Sequence, residues 1–243
     1  MHVLAIGNSF SEDAVRYLHR IARGDGVRLE VANLYIGGCS LERHFRNMQS
    51  GEAAYELQYN GENTGFSVSL KDALLNRPWD VVTLQQASPQ SFRAESYTPY
   101  IESLAQYVRT LCPKARILVH QTWAYEAGSD RLLKYGFDDP AQMLAGVKAA
   151  YGEAAARIAA FGIIPAGEMF GQMLAAGVPR IHRDTYHVKY GIGRYALGLL
   201  WYRMLTGRCV ADNTFAAFDE PIPEEEIRIA KACVDGFIPL LAN

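Results

Sequence analysis

No two cysteines in this sequence have the spacing of a metal or redox motif. Cys39, Cys112, Cys209 and Cys233 are scattered with no CxxC pair, which excludes a zinc pattern and a dense disulfide framework and predicts reduced, partly buried thiols. Positive charge is not in excess: 24 Lys and Arg stand against 26 Asp and Glu, a net charge of −2. With no surplus of cations to neutralise phosphates, neither nucleic acid nor an anionic membrane is an expected partner. No apolar run reaches the roughly 18 residues of a membrane span. No charged leader with an apolar h-region precedes the first predicted strand. With Met1 as the native start, a cytoplasmic protein is expected; a leader ahead of it in the natural chain would make it periplasmic or secreted. Internal repeats, low-complexity tracts and linkers are also missing, so residues 1–243 are expected to form a single domain.

What is present is an ordinary globular balance, 49% apolar and 21% charged residues, enough to bury a sizeable core. His2 to Ile6 is a short apolar run, long enough for a buried strand and too short for a helix. It ends in Gly7-Asn8-Ser9, and a helical stripe follows from Phe10 to Ala22. Further apolar runs at Val27–Ile36, Trp79–Leu84, Ala115–His120 and Phe161–Pro165 alternate with helical patterns. This alternation predicts a three-layer α/β/α sandwich around a five-stranded parallel sheet. Residues 55–59 and 66–69, around Asn60-Gly-Glu-Asn-Thr-Gly65, suggest a small β-hairpin inserted at the surface. Residues 121–139 form a long aromatic and polar connection, of a length that often carries function. A helix over 224–241 closes the chain.

In open parallel sheets, sites form beyond the carboxyl ends of the strands. Those ends carry Gly7-Asn8-Ser9, Gly37-Gly38, Gln85-Gln86 and His120-Gln121-Thr122-Trp123, and Asp184-Thr-Tyr-His187 precedes a late helix. A serine where a strand turns into a helix is exposed, rigidly held and next to unpaired N–H groups. Acyl transfer needs a nucleophile, a base, an orienter and oxyanion donors. Ser9, His187 and Asp184 have the chemistry for the first three, and the N–H groups of Ser9 and Gly38 with the amide of Gln85, or in reserve Gln86, for the fourth. Each residue has a plainer reading: Ser9 or Asp184 as a helix cap, His187 as a satisfied surface or core group, Gly37-Gly38 as a turn, the glutamines as a hydrogen-bonded strand end.

Gly7-Asn-Ser-Phe10 resembles the first block of the SGNH (GDSL-type) hydrolases, Ile36-Gly-Gly-Cys-Ser40 the second, and Asp184-Thr-Tyr-His187 the last. Leu84-Gln-Gln-Ala-Ser88 stands in the place of the third block but departs from its Gly-x-Asn-Asp form. The resemblance implies Ser9 as nucleophile, Gly38 as backbone oxyanion donor, Asp184 as orienter and His187 as base. Gln85 is assigned the missing asparagine's part by analogy with the sialate and carbohydrate acetylesterase branches. In overall look, including Gln121-Thr-Trp-Ala-Tyr125, the chain is similar to a bacterial branch labelled as a domain of unknown function. The resemblance further implies a flavodoxin-like strand order 2-1-3-4-5 and ester hydrolysis without metal or organic cofactor. Trp123, Tyr125, Tyr186 and Trp201 are candidates for stacking on a sugar ring, or else core aromatics. With no long apolar gorge visible, the expected substrate is a small acyl, foremost acetyl, ester on a carbohydrate. The alternatives are a carbohydrate- or anion-binding module on the same fold, and a nucleotide or phosphate binder using Gly7-Asn-Ser as its anion loop.

Overall fold

The computed structural model describes residues 1–241 and is built outward from the first strand. The strands are β1 (His2–Gly7), β2 (Glu30–Tyr35), β3 (Tyr55–Tyr59), β4 (Glu62–Val68), β5 (Val81–Leu84), β6 (Arg116–His120) and β7 (Gly162–Ile164). They make one sheet in the order β4-β3-β2-β1-β5-β6-β7. The helices are α1 (Ser9–Val15), α2 (Leu18–Gly24), α3 (Leu41–Ser50), α4 (Leu70–Leu75), α5 (Tyr100–Leu111), α6 (Asp130–Lys134), α7 (Pro140–Arg157), α8 (Ala166–Ala175), α9 (Ile192–Thr206) and α10 (Glu224–Asp235).

Successive side chains of a strand point to opposite faces. In β1, Val3 and Ala5 enter one apolar core, and Leu4 and Ile6 enter the other. A strand apolar on both faces belongs in the middle of a sheet covered on both sides. Helices α1, α2, α8, α9 and α10 supply one cover, and α3, α4, α5 and α7 the other. Helix α9 is apolar nearly all round because α1, α2, α8 and α10 all pack on it.

The five parallel strands β2-β1-β5-β6-β7 follow the predicted 2-1-3-4-5 order. The sheet nevertheless has seven strands, not five, because the hairpin is part of it. β3 lies antiparallel along β2, from Ala32↔Tyr59 to Tyr35↔Glu56, with Tyr55 and Gln58 buried, and β4 forms the outer edge. The helix expected over 10–22 is two helices, α1 and α2. At the break, Arg16 reaches the Gly61 carbonyl and the Asp219 carboxylate, and the Tyr17 hydroxyl donates to the Tyr190 carbonyl. The last helix stops at Asp235 rather than at 241. The long connection after β6 holds a short helix, α6. No helix among the described residues is long and apolar enough to cross a membrane. All four cysteines are unpaired, Cys39 and Cys112 buried.

Candidate active site

At the carboxyl end of β1 the chain turns into α1 within two residues, and Asn8 organises the turn. Its Oδ1 accepts the Phe10 N–H at 3.0 Å and so caps α1. The cap role offered to Ser9 by the sequence is therefore taken by its neighbour, and the Ser9 hydroxyl is left for another partner. Asn8 Nδ2 donates to the Cys39 carbonyl at 3.0 Å, which ties the Ser9 turn to the Gly37-Gly38 turn. Gly7 is needed for close approach, since a Cβ there would collide with the Ser11 hydroxyl. Gly38 is needed for its backbone: φ is +62°, a conformation that side-chain-bearing residues rarely adopt, although a Cβ would meet no atom within 4 Å.

The partner of Ser9 comes from 178 residues further along: Ser9 Oγ lies 2.9 Å from His187 Nε2. His187 Nδ1 lies 2.7 Å from Asp184 Oδ2. The other Asp184 oxygen accepts the backbone N–H groups of Tyr186 at 2.8 Å and His187 at 2.7 Å. Partial burial pushes the Asp184 carboxyl up, but these two N–H donors and the imidazole outweigh it and bring it from 3.8 down to about 2. A depressed carboxylate stabilises the fold above its unfolded value and loses that contribution as pH falls through about 2. Asp184 is thus ionised throughout the neutral range. An Nδ1–H donated to Asp184 selects, for a neutral imidazole, the tautomer whose Nε2 can accept from the serine.

The loop bearing Asp184 and His187 is pinned along its length. The Trp123 indole N–H donates to the Tyr186 carbonyl at 2.8 Å, and the Glu126 N–H to the Thr185 carbonyl at 2.9 Å. Arg183 Nη1 donates to Asp13 Oδ2 at 2.8 Å, and Arg194 Nε to Asp13 Oδ1 at 2.8 Å. Asp13 is fully buried on the helix that starts at Ser9, so one carboxylate clamps the loop bearing His187 to the helix bearing Ser9.

Ser9 and His187 open into a cleft of about 470 Å³. Gly38, Tyr35, Glu12, Ser88, Arg131 and Tyr186 are among its walls. The structure does not bring either glutamine to this wall. Gln85 is buried, its Nε2 donating to Asn8 Oδ1 at 2.7 Å and its Oε1 facing His120 Nδ1 at 2.9 Å. Burial pushes His120 down to about 3, so it is neutral and donates its Nδ1–H to Gln85. Gln86 is buried as well, accepting from the Leu41 N–H and donating to the Ser96 carbonyl and hydroxyl. Both side chains are spent on partners inside the protein, and it is Ala87 and Ser88, just after them, that line the cleft. Gln85→Ala is expected to cost about 1–3 kcal/mol of stability by orphaning its buried partners, with kcat changed by less than about 10-fold; thermal unfolding beside initial rates checks both.

Of the four aromatic residues, only Tyr186 lines the cleft. Trp123 is 1% exposed and stacked on Phe10 at 4.0 Å. Tyr125 is fully buried with its hydroxyl 3.1 Å from that of Ser88, and Trp201 is fully buried edge-on to His120. The sequence reading missed Glu12, Arg131 and Arg183 as cleft residues. Glu12 had a signal, lying one helical turn after Ser9 on the same face; the arginines had none. Behind the cleft runs a buried polar chain that was equally unforeseen. The Ser11 hydroxyl meets Asn33 Oδ1, Asn33 donates to Gln58 Oε1, and Gln58 Nε2 donates to Glu12 Oε1 at 2.8 Å. Burial raises the Glu12 carboxyl, with the Gln58 amide pulling the other way.

A mostly parallel sheet between two helical layers, with the cleft at its carboxyl edge, is the architecture of the SGNH (GDSL-type) hydrolases. A crystal structure of a GDSL-like lipase from Parabacteroides merdae superposes with TM-score 0.55 at 11% identity, over 82% of this chain and 93% of that one. A protein from Slackia heliotrinireducens, named for the SGNH hydrolases, gives TM-score 0.62 at 21% identity over 84% of this chain and 97% of that one. The chain belongs to the DUF4886 family, a domain of unknown function whose profile matches residues 2–235. A DUF4886 family protein from Bacteroides uniformis is 33% identical, with TM-score 0.89 over 97% of this chain and 93% of the other. Among curated proteins, none matches the chain significantly.

Proposed function

We propose that the protein is a serine ester hydrolase that removes small O-acyl groups, acetyl foremost, from a polar carrier such as a carbohydrate. The observation that carries this reading is the unbroken contact chain from Ser9 Oγ to His187 Nε2 at 2.9 Å and from His187 Nδ1 to Asp184 Oδ2 at 2.7 Å. In this reading His187 Nε2 takes the Ser9 proton as Oγ attacks the acyl carbon. The proton is then given to the departing alkoxide, which leaves an acyl-enzyme. Water, deprotonated by the same nitrogen, releases the acid and restores Ser9. Asp184 holds the imidazole in the required tautomer and offsets its positive charge.

The developing oxyanion is met by two backbone donors. Ser9 stands at the first position of α1, where an N–H has no intrahelical partner. The Gly38 N–H enters no loop or turn hydrogen bond among the described residues, and Gly38 faces the cleft. The open, charged walls around Glu12 and Arg131 favour a short acyl group on a hydrophilic alcohol over a lipid chain.

A fluorophosphonate probe should label the wild type and fail to label Ser9→Ala. A panel of acetyl, butyryl and longer p-nitrophenyl esters, with acetylated sugars beside it, then ranks the acyl group and carrier. Absent labelling of the wild type would favour the second reading, a carbohydrate- or anion-binding module. One observation leans that way: neither glutamine amide reaches the place of the third oxyanion donor. Asp184→Asn should lower kcat by about 100- to 10,000-fold by presenting the wrong tautomer to the serine, measured as a pH–rate profile; an unchanged profile would remove Asp184 from the mechanism.

A further inference from the structure

Among the described residues, two charged side chains on the cleft wall, Glu12 and Arg131, form no ion pair, and Arg131 is the cation of the two. Arg183 is paired with Asp13, and Asp184 with His187. Glu12 accepts from the Gln58 amide. Arg131, at the start of α6, forms no ion pair among the described residues, while neighbouring arginines such as Arg180 and Arg183 do. Its guanidinium instead lies over the Tyr186 ring at 3.8 Å and over the Tyr125 ring at 5.6 Å. Tyr186 in turn packs on the His187 ring at 3.9 Å. Arg131 is thereby held one ring away from His187, on the wall of the cleft into which Ser9 opens.

A guanidinium whose face is covered by an aromatic ring keeps its donors in the plane of the fork. That fork matches a planar or tetrahedral oxyanion, with two parallel N–H···O bonds. The same cleft also carries Glu12 and the Tyr35 ring, groups that can accept from or pack on a hydroxyl-bearing carrier.

Building on the ester-hydrolase reading above, we infer that Arg131 is a specificity-determining residue that binds an oxyanion (carboxylate, sulfate or phosphate) on the leaving-group side of the ester. The substrate class is then an O-acyl ester of an acidic, hydroxyl-bearing carrier rather than of a neutral one. The anion lies against Arg131 on α6, and this anchoring favours the ester of a polyacylated carrier that then reaches Ser9.

The test compares 4-acetoxybenzoate with its neutral counterpart, methyl 4-acetoxybenzoate, in wild type, Arg131→Gln and Arg131→Lys. The readout is the ratio of the two kcat/KM values, so that the intrinsic reactivity of each ester and any general loss of activity cancel between proteins. The wild-type ratio is expected to exceed that of Arg131→Gln by about 10- to 100-fold, the range of a charged hydrogen-bonded contact. Arg131→Lys, which keeps the charge and loses the fork, should fall between them. Equal ratios in all three proteins, with p-nitrophenyl acetate turned over and Ser9 labelled, would overturn the assignment of Arg131 alone. Wild type that neither labels nor turns over any of these esters would overturn the hydrolase reading and this inference with it.

Discussion

Ser9→Ala is expected to lower ester turnover by about 10³- to 10⁶-fold while the melting temperature stays within a few degrees of wild type. The two halves of that expectation have separate physical grounds. The Ser9 side chain makes a single hydrogen bond, to His187, and is only partly buried. Removing it therefore costs little stability, about 1 kcal/mol or less. The cap that starts α1 belongs to Asn8 and survives the change. The proposed reaction, by contrast, would lose its nucleophile, the hydroxyl 2.9 Å from His187 Nε2. His187→Ala should be about as damaging, and the double variant scarcely worse than either single one, because residues that act as a unit are not additive. Rates on p-nitrophenyl acetate, read beside thermal unfolding, decide the matter. Retained turnover in Ser9→Ala would end the serine-hydrolase reading, and a collapse of the fold would mean that the hydroxyl had been structural.

The second large effect lies away from the reacting atoms. Asp13→Asn is expected to destabilise the protein by about 3–5 kcal/mol, the usual result of removing one partner from a buried ion pair. It leaves the Arg183 and Arg194 guanidiniums without the fully buried carboxylate they share. For a chain of this size that is a fall of about 6–20 °C in melting temperature. Arg194 keeps a second partner in Asp219 at 2.8 Å, whereas Arg183 keeps only the Val188 carbonyl and the Tyr190 ring. The loss is therefore felt most at Arg183, next to Asp184 in sequence. Activity measured well below the melting temperature should fall with it, as the loop bearing His187 loosens from α1. A variant that melts early with full activity when cold would show that the clamp serves stability alone.

The parts of this site legible in the sequence were those in which one short segment carries both the element and the chemistry. Gly7-Asn-Ser-Phe10 marks the end of a strand, a tight turn and a helix start together. Asp184 and His187, three residues apart, meet within one turn of backbone. The alternation of strands and helices made a parallel sheet covered on both faces readable, whereas the strand order came from the resemblance to the SGNH hydrolases. The hairpin was seen as a hairpin but not as sheet, since its pairing with β2 is a choice of edge that no local pattern expresses. Gln85 shows the complementary failure. Its position in the chain puts it just past the end of β5, but only the identity of its neighbours, Asn8 and His120, reveals that its amide is spent inside. Trp123 and Tyr125 were likewise placed by position, and the packing turned them inward. The Asp13 clamp was out of reach altogether, since it joins residues 170 and 181 positions apart.

The hairpin that extends the sheet has a consequence of its own. Through Gln58 it touches Glu12, 46 residues away and one turn beyond Ser9. On the hydrolase reading proposed above, an exchange at Gln58 would reshape the cleft at Glu12 without touching Ser9, His187 or Asp184.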